Sequence, residues 1–175
     1  MNRGNSMRYN KIRKMDISNG EGVRVSIFTQ GCHFHCKNCF NPETWNFEGG
    51  KEFTPETLQR LIQLCENDNI QGLSILGGEP LCDENFKDVK DIACIFKINA
   101  KTKNKDIWLW TGYEFEDIFN DPIKNKILLY IDYIVCGQFK TEQKNLKLKW
   151  AGSSNQRLID VQKSLKENKV ILKEM

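Results

Sequence analysis

Short apolar segments rich in β-branched and aromatic residues recur along the chain and predict a series of strands. A clear example is "VRVSIFTQG", which ends at a glycine. Val, Ile, Thr, Phe and Trp favour extended backbone, and glycine commonly ends such a run. By this reasoning the sequence predicts strands at residues 23–31, 72–78, 106–112 and 132–137.

Apolar residues at helical spacing lie between these predicted strands. Residues 54–68 predict a helix in which Thr54 is the N-cap and Pro55 takes the first helical position. Residues 84–98 predict a second amphipathic helix. The expected core positions are Leu58, Leu61, Ile62 and Cys65 in the first helix, and Phe86, Val89, Ile92, Ala93 and Phe96 in the second.

The alternation of strands and helices predicts an α/β fold with a mainly parallel sheet. Two short helices are expected at residues 113–119 and 121–131, then a helix at 155–168 and a strand at 169–174. A chain of 175 residues is expected to form one domain, with residues 1–6 as a disordered leader before Met7. Because a complete eight-unit barrel takes about 250 residues, only a partial (β/α) barrel is expected.

Three unusual sequences follow predicted strands directly. "GCHFHCKNCF" follows the first strand, "GGEP" (residues 77–80) follows the second, and Thr111-Gly112-Tyr113 follows the third. In parallel sheets, functional residues gather at the carboxyl ends of the strands. The three sequences are therefore expected to form one site.

Composition and charge exclude several classes of protein. The chain is 39% hydrophobic and 28% charged, which is typical of a folded globular protein. Its net charge of +3 is mild, and the lysine-rich residues 101–105 and 140–149 fit a solvated surface better than a nucleic-acid site. No apolar run approaches the roughly 20 residues of a membrane span, and the N-terminus lacks a signal-peptide core. We therefore expect a cytoplasmic protein that binds neither membrane nor nucleic acid.

Seven cysteines are an odd number, which argues against a secreted disulfide framework. Four are scattered and are expected to behave as small buried hydrophobic residues. These are Cys65, Cys82, Cys94 and Cys136.

The other three cysteines, Cys32, Cys36 and Cys39, have the spacing C-x3-C-x2-C and predict a metal site. Thiolates suit zinc or iron–sulfur clusters. A closed zinc site takes four ligands, and the short tethers of His33 and His35 to neighbouring cysteines make either a poor fourth ligand. A 4Fe-4S cluster held by three thiolates instead keeps one iron open for a substrate. The cysteine count favours such a cluster, with structural zinc as the alternative.

The cysteine motif and "GGEP", one strand–helix unit apart, together resemble the radical S-adenosylmethionine (SAM) enzymes. The resemblance implies a radical SAM type of partial barrel in which Cys32, Cys36 and Cys39 hold a 4Fe-4S cluster. The open iron would bind the methionine end of SAM, and reductive cleavage would give a 5′-deoxyadenosyl radical. That family usually has an aromatic residue just before the third cysteine, where this chain has Asn38, with Phe40 after the cysteine instead.

The same resemblance implies which residues contact SAM. Those beside the third cysteine would flank it, the "GGEP" residues would hold its methionine end, and the third strand end would lie near its ribose or adenine. The expected contacts are Asn38, Cys39, Phe40, Gly77, Gly78, Glu79 and Thr111. Tyr113 either joins them or packs in the interior. Because the reactive species comes from the cofactor, no side chain is expected to act as a general acid or base.

Three further sequences narrow the resemblance. "DISNGEGVRVSIFTQGC", "WLWTGY" and "GSSNQRLID" resemble the activating proteins of anaerobic (class III) ribonucleoside-triphosphate reductases, over about residues 7–160. Such an activase takes a hydrogen atom from one backbone glycine of the reductase, and its usual electron donor is a flavodoxin-type protein. Cys136 and Ala151 depart from that family, in which aspartate and arginine are expected.

Several alternatives remain open at this point. "GSSNQR" either shapes the cofactor or partner site or begins a helix with Ser154 or Asn155 as its N-cap. The protein could instead be another small radical SAM enzyme, either a different glycyl-radical activase or a nucleoside-modifying enzyme. A zinc-stabilised binding module is the alternative without enzymatic activity.

Overall fold

A seven-stranded sheet runs through residues 6–175, the part of the chain that the computed structural model describes. Its strands are β1 (Arg8–Asp16), β2 (Arg24–Thr29), β3 (Lys51–Glu52), β4 (Gly72–Gly77), β5 (Asp106–Thr111), β6 (Tyr133–Cys136) and β7 (Arg157–Asp160). The helices are α1 (Pro55–Cys65), α2 (Asp83–Ile98), α3 (Phe115–Asn120) and α4 (Val161–Glu167). Short 3-10 helices cover Pro42–Thr44, Lys124–Leu129 and Thr141–Gln143.

The four central strands are parallel, as the alternation of elements predicts. The spatial order is β3-β1-β2-β4-β5-β6-β7. Strands β2, β4, β5 and β6 run parallel, whereas β1, β3 and β7 pair antiparallel towards the two edges. The carboxyl ends of the four parallel strands therefore meet at one end of the sheet.

Both faces of the central strands are buried, and they differ in chemistry. Val25 and Ile27 of β2 pack into the main core with the helices, as alternation along a strand requires. The opposite face includes the fully buried Arg24. Its guanidinium pairs with Asp106 and lies over the ring of Trp108, 5.6 Å from the ring centroid. A buried charge is tolerated only with such partners.

The helices follow their predicted patterns closely. Thr54 caps α1, since its hydroxyl accepts a hydrogen bond from the Thr57 amide at 3.2 Å, and Pro55 is the first helical residue. The five predicted core positions of α2 are all buried. The segment 121–131, predicted as a short helix, forms the 3-10 helix Lys124–Leu129.

The N-terminal strand β1 is absent from the sequence prediction. Its sequence, "RYNKIRKMD", is mostly polar, and every side chain except the buried Asp16 is exposed or half buried, so the apolar pattern of a central strand is missing. The predicted leader, residues 1–6, lies outside the described residues except for Ser6. Met7 is buried, and its backbone amide donates to the Asp88 carboxylate at 2.7 Å.

The prediction for the C-terminal segment is partly wrong. Residues 155–160 do not begin a helix, because Arg157–Asp160 pair antiparallel with β6 as strand β7. The helix begins at Val161, and the Asp160 side chain caps it by accepting from the Lys163 amide. The expected strand at residues 169–174 is reduced to a single bridge between Ile159 and Leu172. Apolar spacing alone did not distinguish a short edge strand from a helix.

Three of the four scattered cysteines are buried, as expected, and Cys94 is partly exposed. Among residues 6–175, no helix is both long enough and apolar enough to cross a membrane.

Candidate functional site

A cleft lies at the carboxyl ends of the four parallel strands. Its walls come from the loops that follow β2, β4, β5 and β6. The predicted site residues that line it are Cys32, Cys36, Cys39, Phe40, Gly77, Gly78, Glu79 and Thr111. The three unusual sequences therefore lie around one cleft.

The first wall is the cysteine loop, residues 31–40, which has no helix or strand. Backbone bonds fix its start: the Gly31 amide donates to the Thr44 carbonyl at 2.7 Å, and the Cys32 amide donates to the Trp45 carbonyl at 3.1 Å. Further along, His35 and Asn38 have positive φ angles of 46° and 58°. Asparagine tolerates this left-handed conformation better than the aromatic residue usual in the wider family, which explains Asn38 in structural terms.

The three thiols of the loop differ in exposure. Cys32 is buried, and this burial raises the pKa of its thiol, whereas Cys36 and Cys39 are partly exposed. Within residues 6–175, no three side chains among His, Cys, Asp and Glu converge on one point where they could hold a single metal ion.

Both histidines of the loop have other partners. His33 Nε2 lies 2.8 Å from a carboxylate oxygen of Glu84, and the His33 ring contacts the Phe47 ring. His35 stacks on Trp45, with ring centroids 4.6 Å apart and planes inclined by 11°. Neither contact turns a histidine towards the thiols as a fourth ligand.

The second wall is the "GGEP" turn at the end of β4. Gly77 has a φ of 112°, a conformation that side-chain-bearing residues rarely adopt. The Gly78 amide donates to the Thr29 carbonyl at 2.9 Å, and the Glu79 amide donates to the Gly31 carbonyl at 2.8 Å. A Cβ atom on Gly78 would lie only 2.3 Å from the Gly31 carbonyl oxygen. These bonds fasten the turn to the start of the cysteine loop.

Glu79 is buried in this turn, and three donors hold its carboxylate. One oxygen accepts from the Thr111 hydroxyl at 2.7 Å and the Leu81 amide at 2.9 Å, and the other accepts from the Gly112 amide at 2.7 Å. Burial raises the pKa of Glu79 to about 7 despite these bonds, which lower it. The carboxylate therefore joins the ends of β4 and β5, a role that the motif alone did not reveal.

The third wall follows β5. The Thr111 hydroxyl is engaged by Glu79 and also accepts from the Tyr113 amide at 3.2 Å. Tyr113 packs edge-on against Phe34 of the cysteine loop, with ring centroids 5.1 Å apart. This contact favours interior packing of Tyr113 over a contact with SAM.

Asn38 is the predicted site residue that the cleft does not include. Its side chain is exposed and lies outside the lining residues. Phe40, by contrast, lies at the rim, 55% exposed, and packs against Phe139 with ring centroids 5.1 Å apart.

The fourth wall follows β6 and explains the "GSSNQR" sequence. Gln156 lines the cleft, and its side chain holds two segments together: its amide donates to the Gly137 carbonyl, and its carbonyl accepts from the Gly152 amide. Asn155 donates to the Gln138 carbonyl at 2.9 Å. The predicted N-cap role of Ser154 or Asn155 is wrong, because the segment forms a clamp that leads into β7.

Several lining residues were not predicted to belong to the site. Four of them are aromatic, namely Phe34, Trp45, Trp110 and Phe139, and the others are Asn41, Thr44, Leu76 and Gly137. Trp110 donates its indole N–H to the Trp150 carbonyl at 2.7 Å, so it also bonds the neighbouring segment while it lines the cleft. The position of Phe34 between two of the cysteines could have predicted that it lines the cleft.

Neither of the two residues that depart from the family pattern lines the cleft. Cys136 is fully buried at the end of β6 within the main core, and burial raises the pKa of its thiol to about 11. Ala151 packs beside the cluster around Trp108.

Comparisons with known proteins agree with this site. The model of a family described as a 4Fe-4S single cluster domain matches residues 18–159. The anaerobic ribonucleoside-triphosphate reductase-activating protein of Enterobacteria phage T4 is 40% identical over 152 residues, which cover 87% of this chain and 93% of the phage protein. The chain belongs to the anaerobic ribonucleoside-triphosphate reductase-activating proteins. Members of this family from Salmonella typhi and Escherichia coli K12 are 36% and 34% identical over 152 residues, which cover 86% of this chain and 96% of each relative.

Membership of this activating-protein family confirms the resemblance drawn from the sequence motifs. The matched 4Fe-4S domain contains the cysteine loop and the "GGEP" turn, and it ends within β7. The clamp formed by "GSSNQR" thus belongs to the shared part of the chain.

Proposed function

We propose that this protein is a radical SAM activase that generates the glycyl radical of an anaerobic ribonucleoside-triphosphate reductase. The observation that carries the proposal is the meeting of three free cysteines and the "GGEP" turn at one cleft. The activating proteins to which the chain is similar give the reaction its target by their name.

The donor set of the cleft fits a 4Fe-4S cluster. Cys32, Cys36 and Cys39 would supply three thiolates, the ligand type that such clusters use. His33 and His35 are engaged elsewhere, which leaves one coordination position for SAM. When bound and reduced, such a cluster would supply the electron for reductive cleavage of SAM, and the resulting 5′-deoxyadenosyl radical would take the hydrogen atom from the target glycine.

The protein's own residues would bind SAM and orient it. Gly77 and Gly78 would offer backbone polar groups close to the methionine end, because without side chains they let a ligand approach. Glu79 would fix the turn and place negative charge near the amino group. Thr111 would act mainly through Glu79. The aromatic walls, with Phe40 at the rim, would exclude water from the radical.

Cys39 and Asn38 complete the proposed contacts. The Cys39 amide donates to the Cys36 carbonyl at 3.0 Å, and the Cys39 sulfur accepts from the Asn41 amide at 3.4 Å. Asn38 would contribute through its left-handed backbone, which sets the path of the loop between the two cysteines, since its side chain points to solvent.

The remaining parts of the proposal rest on the resemblance. We infer that the sheet is a partial (β/α) barrel of the radical SAM type within a single domain. A flavodoxin-type protein would supply the electron, and the cytoplasm would be the site of action.

The direct test is to mix the reduced, cluster-loaded protein and SAM with the anaerobic reductase from the same source. Electron paramagnetic resonance should show a glycyl radical. A reductase whose target glycine is changed to alanine is the matched control and should give no such signal. The proposal is rejected if no glycyl radical forms on a reductase that the Escherichia coli activating protein can activate.

A further inference from the structure

Five lysines form a basic rim beside the cleft: Lys37, Lys140, Lys144, Lys147 and Lys149. All five are exposed, and within residues 6–175 none of them forms an ion pair with a carboxylate. Glu142 is the only acidic residue between positions 137 and 153. The charge of this surface is therefore uncompensated within the described chain.

The charge is concentrated in this one place. Five lysines and one glutamate give the rim a net charge of +4, whereas the whole chain has a net charge of only +3. The remaining residues together thus carry slightly more negative than positive charge. A strongly local field of one sign steers and selects partners of the opposite sign.

Specific contacts hold the rim against the cleft. The Thr141 hydroxyl donates to the Lys37 carbonyl at 2.6 Å, which joins the lysine-rich segment to the cysteine loop. The Lys144 ammonium lies over the ring of Phe40, 5.4 Å from its centroid. At the other end of the segment, the Trp150 carbonyl accepts from Trp110, which lines the cleft. These contacts place the lysine-rich segment beside the cleft.

Two apolar side chains are exposed among the lysines. Phe40 is 55% exposed, and Leu146 is 78% exposed. Exposed apolar groups within a charged surface are typical of protein interfaces, in which aromatic anchors are surrounded by polar groups. The rim thus combines a charge that selects an acidic partner with apolar contacts that can hold a polypeptide.

We propose that the basic rim docks an acidic segment of the reductase next to its target glycine. This inference rests on the proposed function, which requires that glycine to enter the cleft. The polypeptide carrying the glycine must then cross the opening, so its flanking residues contact the rim. An electron donor needs no such entry, because an electron can reach a cluster through the surrounding protein.

The test is the affinity of the cluster-loaded protein for its reductase, measured without SAM at low and high salt. The triple variant Lys144→Gln, Lys147→Gln, Lys149→Gln should bind about tenfold more weakly at low salt, since three exposed charge contacts of ordinary strength amount to about that factor. Its affinity should also depend less on salt. Its iron content, and its SAM cleavage with dithionite in the absence of reductase, should equal those of the wild type.

A matched control removes three lysines that lie outside the basic rim. Lys14, Lys103 and Lys126 are exposed, do not line the cleft and form no ion pair among residues 6–175. Changing them to glutamine alters the net charge equally and should leave the affinity unchanged. Equal weakening in both triple variants would overturn the proposal, as would unchanged affinity in the rim variant.

Two further results would also overturn it. In the first, glycyl-radical formation with a flavodoxin-type reductant falls in the rim variant while its affinity for the reductase stays normal. The rim would then bind the electron donor. In the second, the wild type binds a DNA fragment in a salt-dependent way, and the rim variant loses this binding but keeps normal affinity for the reductase. The rim would then be a nucleic-acid site. If the wild type fails to cleave SAM, the proposed function is rejected. The affinity of the rim variant for the reductase would still show whether the basic rim docks the reductase.

Discussion

The two main walls of the cleft are built in different ways. The "GGEP" turn is fastened by backbone bonds to β2 and by the buried Glu79 carboxylate, which accepts from three donors. The buried Asn85 side chain adds bonds to the Gln30 and Glu79 carbonyls. The cysteine loop has no regular structure beyond its start, and aromatic contacts hold much of it.

This difference indicates that the turn and the cysteine loop contribute to the site in different ways. The "GGEP" turn is pre-organised by the fold and can present its backbone to a ligand before any cofactor arrives. If the cysteine loop binds the proposed cluster, it would gain further stabilisation from the metal, which the turn would not need. Metal binding and local folding are commonly coupled in this way. Changes in the loop should therefore affect cofactor chemistry, whereas changes in the turn should affect stability.

The largest expected effect on chemistry is that of Cys36→Ala. The variant should lose the four-iron cluster and all SAM cleavage, because only two proposed thiolate ligands remain. The unfolding temperature of the metal-free protein should change little, since the side chain is partly exposed in an irregular loop. Iron and sulfide analysis with a visible spectrum checks the cluster, and product analysis checks cleavage.

Cys94→Ala is the matched control for this prediction. Cys94 is also partly exposed and unpaired by disulfide, but it lies in α2 outside the cleft. It should retain both the cluster and activity. A Cys36→Ala protein with a complete cluster and normal SAM cleavage would contradict the ligand assignment.

Gly77→Ala should show the opposite behaviour, a large loss of stability even without metal. Its φ of 112° is unfavourable for alanine, and the new Cβ atom would lie 2.6 Å from the Thr29 backbone nitrogen. The strain and the backbone clash together should lower the free energy of unfolding by at least about 3 kcal/mol. Urea denaturation of the metal-free protein measures this.

Gly112→Ala tests the same difference between the "GGEP" turn and the cysteine loop. Its new Cβ atom would meet the Phe34 ring of the cysteine loop at 2.7 Å rather than fixed backbone. Because a side chain in an irregular loop can shift more readily than the paired backbone of a sheet, the loss should stay below about 1.5 kcal/mol. Equal losses in the two alanine variants would show that the loop is as rigid as the turn.

Glu79→Gln should change how stability depends on pH. Burial raises the pKa of Glu79 from its ordinary value to about 7. Between about pH 4.5 and 7 the unfolded chain therefore ionises this group while the folded protein keeps it protonated. Its stabilising contribution is complete below pH 4.5 and is lost as the pH rises through 7, by about 2 to 3 kcal/mol.

The glutamine variant lacks this titration. The free energy of unfolding of the metal-free wild type should therefore fall more steeply with pH than that of Glu79→Gln across this window. Urea denaturation at several pH values measures both slopes. Parallel slopes would show that the carboxylate in the turn is not desolvated as the geometry implies.

Much of this architecture could be predicted from sequence because the central strands and two long helices are strongly patterned. The cysteines and "GGEP" also identify the end of the sheet that holds the site. The role of Glu79 could not be predicted, because its partners Thr111 and Gly112 come from another strand and meet it only through tertiary structure. Strands β1, β3 and β7 were missed. The edge strands β3 and β7 have only two and four residues, and β1, which lies between β3 and β2, is mostly polar, so all three lack the continuous apolar run of the central strands.

The smallest expected effects are those of His33→Ala and His35→Ala. Each histidine belongs to the cysteine loop, yet its contacts are with Glu84 or with aromatic rings rather than with the thiols. Loss of the exposed His33–Glu84 pair should cost no more than about 0.5 kcal/mol, and both variants should bind as much iron and sulfide as the wild type. Iron analysis and the anaerobic visible spectrum of the two variants test this beside Cys36→Ala. Loss of iron in either one would make that histidine a ligand and would remove the open position that the proposed chemistry requires.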